Sequence, residues 1–328
     1  VLMRLLVTGG AGFIGSCFVR RMLNEHPDYK IINLDALTYC GNIENLDDVK
    51  DNSNYTFVHG NICDRKLACE LVEQVDAIVN FAAESHVDNS IKHPEIFVET
   101  NVQGTLNLLQ CAKQFRIDRY LQVSTDEVYG TLGKTGYFTE NTPLAPNSPY
   151  SASKASADML VRAYFETYKL PVLTTRCSNN YGPYQYPEKL IPFFISQLLK
   201  DEKVPVYGDG MNVRDWLYVY DHCAAIDTVL HKGRVGEVYN IGGHNEKTNM
   251  EITHLILDAM GKDESSIKYV QDRLGHDKRY AICNDKIQNE LGWKPSVTFE
   301  EGIKLTIDWY LNNQDWMKSI EAKKELVK

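Results

Sequence analysis

Tyr150 and Lys154 stand four residues apart in "SPYSASKAS" (Ser148–Ser156), directly after Pro149. In a helix, side chains four apart lie one above the other on the same face. A phenol beside a permanent cation loses its proton more easily and can act as a base. The pair alone decides nothing: with 19 tyrosines and 23 lysines in 328 residues, about one such spacing arises by chance. A second candidate is "VSTDEVYG" (Val123–Gly130), where the hydroxyl of Thr125 precedes two adjacent carboxylates, Asp126 and Glu127. A carboxyl that keeps its proton beside one that is ionised makes an acid–base couple, titrating as a unit. In a continuing strand the two side chains would point to opposite faces. For both to reach one pocket, the chain must leave extended geometry near Thr125. The plain alternative is a solvated turn or a helix start, where acidic residues are favoured in any case.

"TGGAGFIG" (Thr8–Gly15) contains Gly10-x-Gly12-x-x-Gly15 and equally Gly9-x-x-Gly12-x-x-Gly15. It follows the apolar run "RLLVT" and opens an apolar-periodic stretch from Phe13. A strand, a glycine turn and a helix start supply what a pyrophosphate needs: close backbone approach and free N–H groups. Asp35 closes "KIINLD", 20 residues after Gly15, where a carboxylate can accept hydrogen bonds from an adenosine ribose. Ala36, Leu37 and Thr38 follow, with no arginine for a 2′-phosphate, so NAD is favoured over NADP.

The elements that must position these groups are legible as short apolar runs. Arg4–Thr8, Lys30–Asp35, Tyr55–Gly60, Ala77–Ala83, Arg119–Ser124 and Pro171–Arg176 read as strands, with helical patterns between most of them. Such alternation predicts right-handed βαβ units and a doubly wound parallel sheet of Rossmann type. After about Ser178 the texture turns rich in proline, glycine and tyrosine, which predicts a second, smaller, mixed α/β domain. The expected division is 1–178, with a return around 213–242, and 179–328. A net charge of −9 argues against a general nucleic-acid or membrane-surface binder, and no apolar run approaches the length of a membrane span. The start lacks the apolar core of a signal peptide and reads as a first strand; whether Val1 and Leu2 precede a native start at Met3 is left open. Eight cysteines without CxxC or zinc-like spacing read as reduced thiols of a cytoplasmic protein, with no metal site. The last residues, "EAKKELVK", read as a solvated tail or a frayed helix.

A Rossmann-type domain with a Tyr-x-x-x-Lys helix after its fifth strand resembles the extended branch of the short-chain dehydrogenase/reductase superfamily, over essentially the whole chain. Thr125-Asp126-Glu127 is similar to the triad of the dTDP-glucose 4,6-dehydratase family. So are "NFAAESHVDNSI" (Asn80–Ile91), "SNNYGPYQYPEKLIP" (Ser178–Pro192), "VPVYGDGMNVRDWLYVYDH" (Val204–His222), "YNIGG" (Tyr239–Gly243) and "DRLGHDKRYAI" (Asp272–Ile282). The resemblance implies oxidation of dTDP-glucose at carbon 4, loss of water across carbons 5 and 6, and reduction at carbon 6, with NAD recycled. It implies that Tyr150 is the base at the 4-hydroxyl, its pKa lowered by Lys154 and the nicotinamide charge. Bringing a tyrosine from about 10 to near 7 takes roughly 4 kcal/mol. Glu127 would take the carbon 5 proton, Asp126 would protonate the leaving 6-hydroxyl, and Thr125 would hydrogen-bond near the 4-hydroxyl.

For the cofactor the resemblance implies contacts from Gly9, Gly12, Phe13, Ile14 and Gly15, then Asp35, Ala36, Leu37 and Thr38. Asn61 and Ile62, Phe81, Ala82, Ala83 and Ser85, Thr100 and Asn179 would complete the set with Tyr150 and Lys154. Asn61 stands where an aspartate is expected, and Leu274 where a proline is. For the sugar nucleotide it implies Ser85, His86, Thr125, Asn180, Lys189, Leu190 and Asn249, a base pocket at Pro205, Val206 and Tyr207, and Arg214 with the Asp272, Arg273 and His276 stretch at the diphosphate. Arg279 is a further cation candidate. Helices after Pro94 (Phe97, Val102, Leu106, Leu109) and around Tyr150 (Ala155, Met159, Leu160, Ala163) carry apolar residues on several faces, a sign of burial; the resemblance implies a homodimer through them. Other sugar-nucleotide dehydratases, epimerases and decarboxylases of the superfamily are the nearest competing readings, and Asp126 argues against them. An inert NAD-binding regulator is the alternative of another class, and the intact Tyr150, Lys154, Asp126 and Glu127 argue against it.

Overall fold

The computed structural model describes residues 3–38 and 40–326, so Val1 and Leu2 lie outside the described residues. The six apolar runs form β1 (Arg4–Thr8), β2 (Lys30–Asp35), β3 (Tyr55–His59), β4 (Ala77–Asn80), β5 (Arg119–Thr125) and β6 (Val172–Cys177). Shorter strands follow: β7 (Asn179–Tyr181), β8 (Val204–Tyr207), β9 (Val213–Tyr218), β10 (Val238–Ile241), β11 (Glu246–Thr248) and β12 (Ile267–Val270). The helices of the first half are α1 (Phe13–Glu25), α2 (Arg65–Val72), α3 (Val87–Lys92), α4 (Pro94–Phe97), α5 (Thr105–Gln114) and α6 (Pro149–Tyr168). Those of the second half are α7 (Leu190–Leu199), α8 (Val219–Lys232), α9 (Asn249–Ala259), α10 (Asp285–Leu291), α11 (Phe299–Asn312) and α12 (Gln314–Leu326).

Seven strands form one parallel sheet in the order β10-β6-β5-β4-β1-β2-β3. Every residue of β4 and β6 is buried, as a parallel sheet covered on both faces requires. Alternate side chains of β1 show the two layers. Leu5 and Val7 pack with Phe18 and Met22 of α1 and Val229 of α8. Leu6 packs with Leu71 of α2, Leu108 of α5 and Val161 of α6. The expected doubly wound sheet is therefore present. A second core, around Tyr181, Ile195, Ile256 and Phe299, joins α7, α9, α11 and α12 to a three-stranded sheet, β11-β9-β7, and to the β12-β8 pair. Because β9 pairs with β7 and β11, the chain returns to the large sheet through α8 and β10. No helix among the described residues is long and apolar enough to cross a membrane.

The opening motif has a local cause. Ser148 caps α6 in a reciprocal box with Ser151, and Pro149 occupies the first turn, where its missing N–H costs nothing. Two expectations are corrected. The helix after Pro94 is interrupted: Val98–Gly104 widens into a π-helical turn between α4 and α5. Cys69 and Cys111 are not free thiols but a disulfide, because packing of α2 on α5 brings their Cα atoms to 5.2 Å. Of the tail or helix expected at the C-terminus the structure shows the helix: α12 runs to Leu326, exposed from Ala322 onward, and is anchored by Trp316 Nε1 on Asn45 Oδ1 (2.9 Å) and Lys323 Nζ on Asn42 Oδ1 (3.1 Å). Val327 and Lys328 lie outside the described residues.

Candidate active site

β1 and β4 are neighbours in the sheet while β2 and β3 lie on the other side of β1. Ligands bind at the carboxyl edge of such a switch point, and a cavity of about 340 Å³ opens there. Gly9 has φ +74°, and a Cβ on it would lie 2.7 Å from Ala82 N; a Cβ on Gly15 would lie 2.2 Å from Gly9 O. These two glycines permit the turn and the close packing of α1. Gly12 differs: a Cβ there would meet only Gly9 O, at 3.5 Å, and would otherwise fill open cavity. That opening at the N-terminus of α1 fits a pyrophosphate. Asp35 accepts from Ala11 N on Oδ2 (2.9 Å) and from Leu37 N on Oδ1 (2.8 Å). Lys154 and Lys189 are the cations among the residues lining this cavity, and no arginine is among them. NADP should therefore bind at least tenfold more weakly than NAD, about 1.4 kcal/mol, measured by competition titration; equal affinities would refute this reading of Asp35.

β5 ends at Thr125 and the chain turns at once into a 3₁₀ turn, Asp126–Tyr129. Thr125 caps that turn, its Oγ1 accepting from Glu127 N at 3.2 Å. The departure from extended geometry that the sequence demands thus occurs at the expected residue. The helix-start alternative also holds in part, since both carboxylates sit in the first turn. Neither is a solvated cap: Asp126 is 1% exposed and its Oδ2 has no hydrogen-bond partner, and Glu127 is half-buried. Burial, then Glu127, pushes the Asp126 carboxyl well above the usual range. Burial also raises Glu127; Arg214 opposes the rise of both carboxyls, and Lys189 that of Glu127. The stronger rise at Asp126 favours it as the protonated member of the pair.

This asymmetry carries a stability signature. A carboxyl whose pKa is raised by folding favours the fold while protonated. That stability is complete below the unfolded value and is lost as pH rises through the folded one. Asp126→Asn removes the loss, so in mildly alkaline buffer the variant should melt above the parent, with the gap closing in acid. Scanning calorimetry at both pH values checks this.

Tyr150 and Lys154 line the same cavity, both buried. Burial, then Glu127, raises Tyr150 far above its ordinary value. Lys154 Nζ donates to the Val123 carbonyl at 3.0 Å; burial lowers its pKa and Asp158 opposes this. Desolvation and neighbouring carboxylates thus dominate the phenol in the ligand-free chain, whereas the lowering expected from Lys154 and the nicotinamide charge together concerns the cofactor-bound state.

A second cavity, about 630 Å³, lies over α7, β8 and the Asp272–Tyr280 segment. It meets the first at Ser85, Asn179, Lys189 and Glu127, which line both. Arg214 faces it, held by the carbonyls of Val213 (2.9 Å) and Asp277 (2.8 Å) and laid 4.4 Å from the Tyr280 ring centre. Arg273 lies over the Tyr207 ring at 4.9 Å. His276 Nδ1 is 2.6 Å from Asp272 Oδ1, and burial lowers the ring's pKa. Cations thus gather locally in an acidic chain, as a diphosphate requires.

All the cofactor candidates line the first cavity except Leu37, whose φ of +52° turns its N–H back to Asp35. Of the substrate candidates, Ser85, His86, Lys189, Leu190, Pro205, Val206, Tyr207, Arg214, Asn249, Arg273 and His276 line the second. Thr125 and Asn180 line the first instead. Asn180 is oriented by His222, whose Nδ1 lies 2.8 Å from Asn180 Oδ1. Asp272 lines neither and stands behind His276. Arg279 lies elsewhere, binding the carbonyls of Gly133 and Gly136 and the Glu246 carboxylate. Sequence reasoning missed the roof: Trp316 and Ile320 of α12 line the first cavity, and Ile320, Glu321 and Lys324 the second. A tryptophan in an otherwise polar terminal helix was the available signal.

A Rossmann-type sheet with a buried tyrosine and lysine and a pair of carboxylates in one cavity at its carboxyl edge defines a nucleotide-dependent oxidoreductase or lyase. The profile of the GDP-mannose 4,6 dehydratase family matches residues 6–306, and the chain belongs to that family. It is 56% identical over 335 aligned positions to a dTDP-glucose 4,6-dehydratase of Xanthomonas campestris pv. campestris (strain B100), covering 96% of this chain and 95% of that one. Among solved structures it is similar to the dTDP-glucose 4,6-dehydratase of Bacillus anthracis str. Ames in complex with NAD, at 57% identity and TM-score 0.92, covering 97% of this chain and 99% of that one. The Streptomyces venezuelae dTDP-glucose 4,6-dehydratase, with NAD and a second ligand bound, matches at 53% identity and TM-score 0.95, covering 97% and 100%.

Proposed function

We propose that this chain converts dTDP-glucose to dTDP-4-keto-6-deoxyglucose as a hydro-lyase, with NAD recycled in each turnover. The observation that carries this is the Asp126–Glu127 pair, one carboxyl buried and the other half-buried, turned by Thr125 into the cavity that also holds Tyr150. Oxidation alone needs no second acid. A base and a separate protonated carboxyl are what elimination of water requires.

Gly9, Gly12, Gly15 and the start of α1 would hold the cofactor's pyrophosphate, and Asp35 its adenosine ribose. Bound NAD supplies the hydride acceptor and donor and a positive ring charge beside Tyr150. Tyr150 accepts the proton of the 4-hydroxyl, with Lys154 keeping positive charge beneath it and Thr125 bonding the oxygen. The new ketone acidifies carbon 5, and Glu127 takes that proton. Asp126 gives its own proton to the 6-hydroxyl, which leaves as water. Glu127 returns its proton to carbon 5 as carbon 6 is reduced. Over the cycle the proton lost from the 4-hydroxyl balances the one that left in water. Arg214, Arg273 and His276 would face the diphosphate, and Pro205, Val206 and Tyr207 the base.

The test is incubation with dTDP-, UDP- and GDP-glucose and GDP-mannose without added cofactor, followed by detection of keto product. Product from dTDP-glucose alone is expected; preference for another nucleotide would reassign the chain within its family.

We read residues 1–178 as the cofactor module, with the later return, and 179–328 as mostly the sugar-nucleotide module, in a cytoplasmic enzyme early in deoxysugar synthesis. A homodimer is supported by an apolar surface: Ile96, Val98 and Met159 are each about half exposed on α4, the π turn and α6. Sedimentation equilibrium should give twice the 37.4 kDa chain mass, and Met159→Glu should give the monomer.

A further inference from the structure

Away from both cavities, α1 and α8 end side by side. His26 caps α1 and His231 lies in the last turn of α8. α1 starts at the glycine turn, and its 13 residues carry the chain about 20 Å from it. Asp227 reaches between the two rings: His26 Nε2 and His231 Nδ1 each lie 3.0 Å from Asp227 Oδ1. The three donor atoms lie within 4.8 Å of one another. Tetrahedral ligands at zinc distances stand about 3.3 Å apart, so shifts of a few tenths of an ångström to about 1.5 Å bring all three onto one ion.

We propose that His26, Asp227 and His231 bind a divalent transition-metal ion, Zn²⁺ by preference, which clamps the end of α1 to the end of α8. Two imidazoles and one carboxylate select zinc-like ions over magnesium or calcium. The surroundings are already built. Tyr29 hydroxyl lies 2.8 Å from His231 Nε2 and can accept a hydrogen bond there once the metal displaces the proton that Nδ1 gives to the Asp227 carbonyl. Arg21 Nε holds Asp227 Oδ2 at 3.0 Å, which leaves Oδ1 aimed at the rings. Tyr29 also stacks on His26, ring centres 4.4 Å apart, fixing that ring's plane. The carbonyl ends of two helices converge here, and their partial negative charge favours a cation and offsets Arg21. Both imidazoles remain a quarter exposed while Asp227 is nearly buried, giving an entry path and space for water as fourth ligand. Without the ion, His26 Nε2 hydrogen-bonds to the carboxylate, while His231 Nδ1 bonds the Asp227 backbone carbonyl at 2.9 Å and lies 3.0 Å from Oδ1, so the three donors are already gathered.

Calorimetric titration of the chelator-stripped chain with Zn²⁺ alone, and absorption spectra with Co²⁺, test this. One equivalent should bind to the parent protein, with a tetrahedral cobalt spectrum and a melting temperature raised by a few degrees, on the order expected for a ligand at tenfold its Kd. His26→Gln, at a partly exposed cap where folding is not at stake, should lose that equivalent, and His231→Gln should too. Sugar-nucleotide turnover should be unchanged in both. Absence of saturable binding, or equal binding in parent and variants, would overturn the site.

Discussion

Asp126→Asn and Glu127→Gln proteins should accept dTDP-glucose, complete the first oxidation and stop. Oxidation requires Tyr150, Lys154 and the cofactor; elimination requires a proton donor at the 6-hydroxyl and a base at carbon 5. Asparagine keeps the shape of Asp126 without a proton to give, and glutamine keeps that of Glu127 without basicity. Overall turnover should fall about 10²–10⁴-fold in each, while the absorbance of reduced nicotinamide builds up on adding substrate. Deuterium at carbon 5 distinguishes the two roles. It should still exchange with solvent in Asp126→Asn, where Glu127 is intact, and should persist in Glu127→Gln. Normal turnover in both variants, or no accumulated reduced cofactor in either, would reduce the pair to a helix-capping turn and the chain to a plain oxidoreductase.

Tyr150→Phe removes the hydroxyl and keeps the ring against Phe97, 6.3 Å away centre to centre. Oxidation at carbon 4 should slow by at least about 10²-fold, measured by single-turnover absorbance, with sugar-nucleotide affinity little changed. Because burial and Glu127 hold the phenol protonated in the ligand-free chain, the charge needed to lower its pKa must come with the bound cofactor and Lys154. Near-normal oxidation by Tyr150→Phe would return the Tyr-x-x-x-Lys spacing to chance.

The strands of the large sheet were legible because β4 and β6 are buried at every position, and continuous apolar runs need no knowledge of partners. The turn at Thr125 was legible because simple alternation would have split Asp126 from Glu127. Features made by tertiary contact were not. His222 behind Asn180 is an ordinary helix residue until the fold buries it. Cys69 and Cys111, 42 residues apart, become neighbours only when α2 packs on α5. The π-helical turn at Val98–Gly104 has no residue signature, yet it carries Thr100 to the cavity wall. The contrast between Leu37, a turn residue, and its lining neighbours Asp35, Ala36 and Thr38 is a matter of a single backbone dihedral.

α12 bridges the segment after β2 and α7. Trp316 and Lys323 fasten it beside Asn42 and Asn45, while Glu321 accepts from Ser196 (2.8 Å) and Lys200 (3.1 Å) of α7. Trp316 roofs the first cavity, Ile320 borders both, and Glu321 and Lys324 border the second. One helix therefore walls both cavities, and any opening of this double anchorage loosens the wall of both at once.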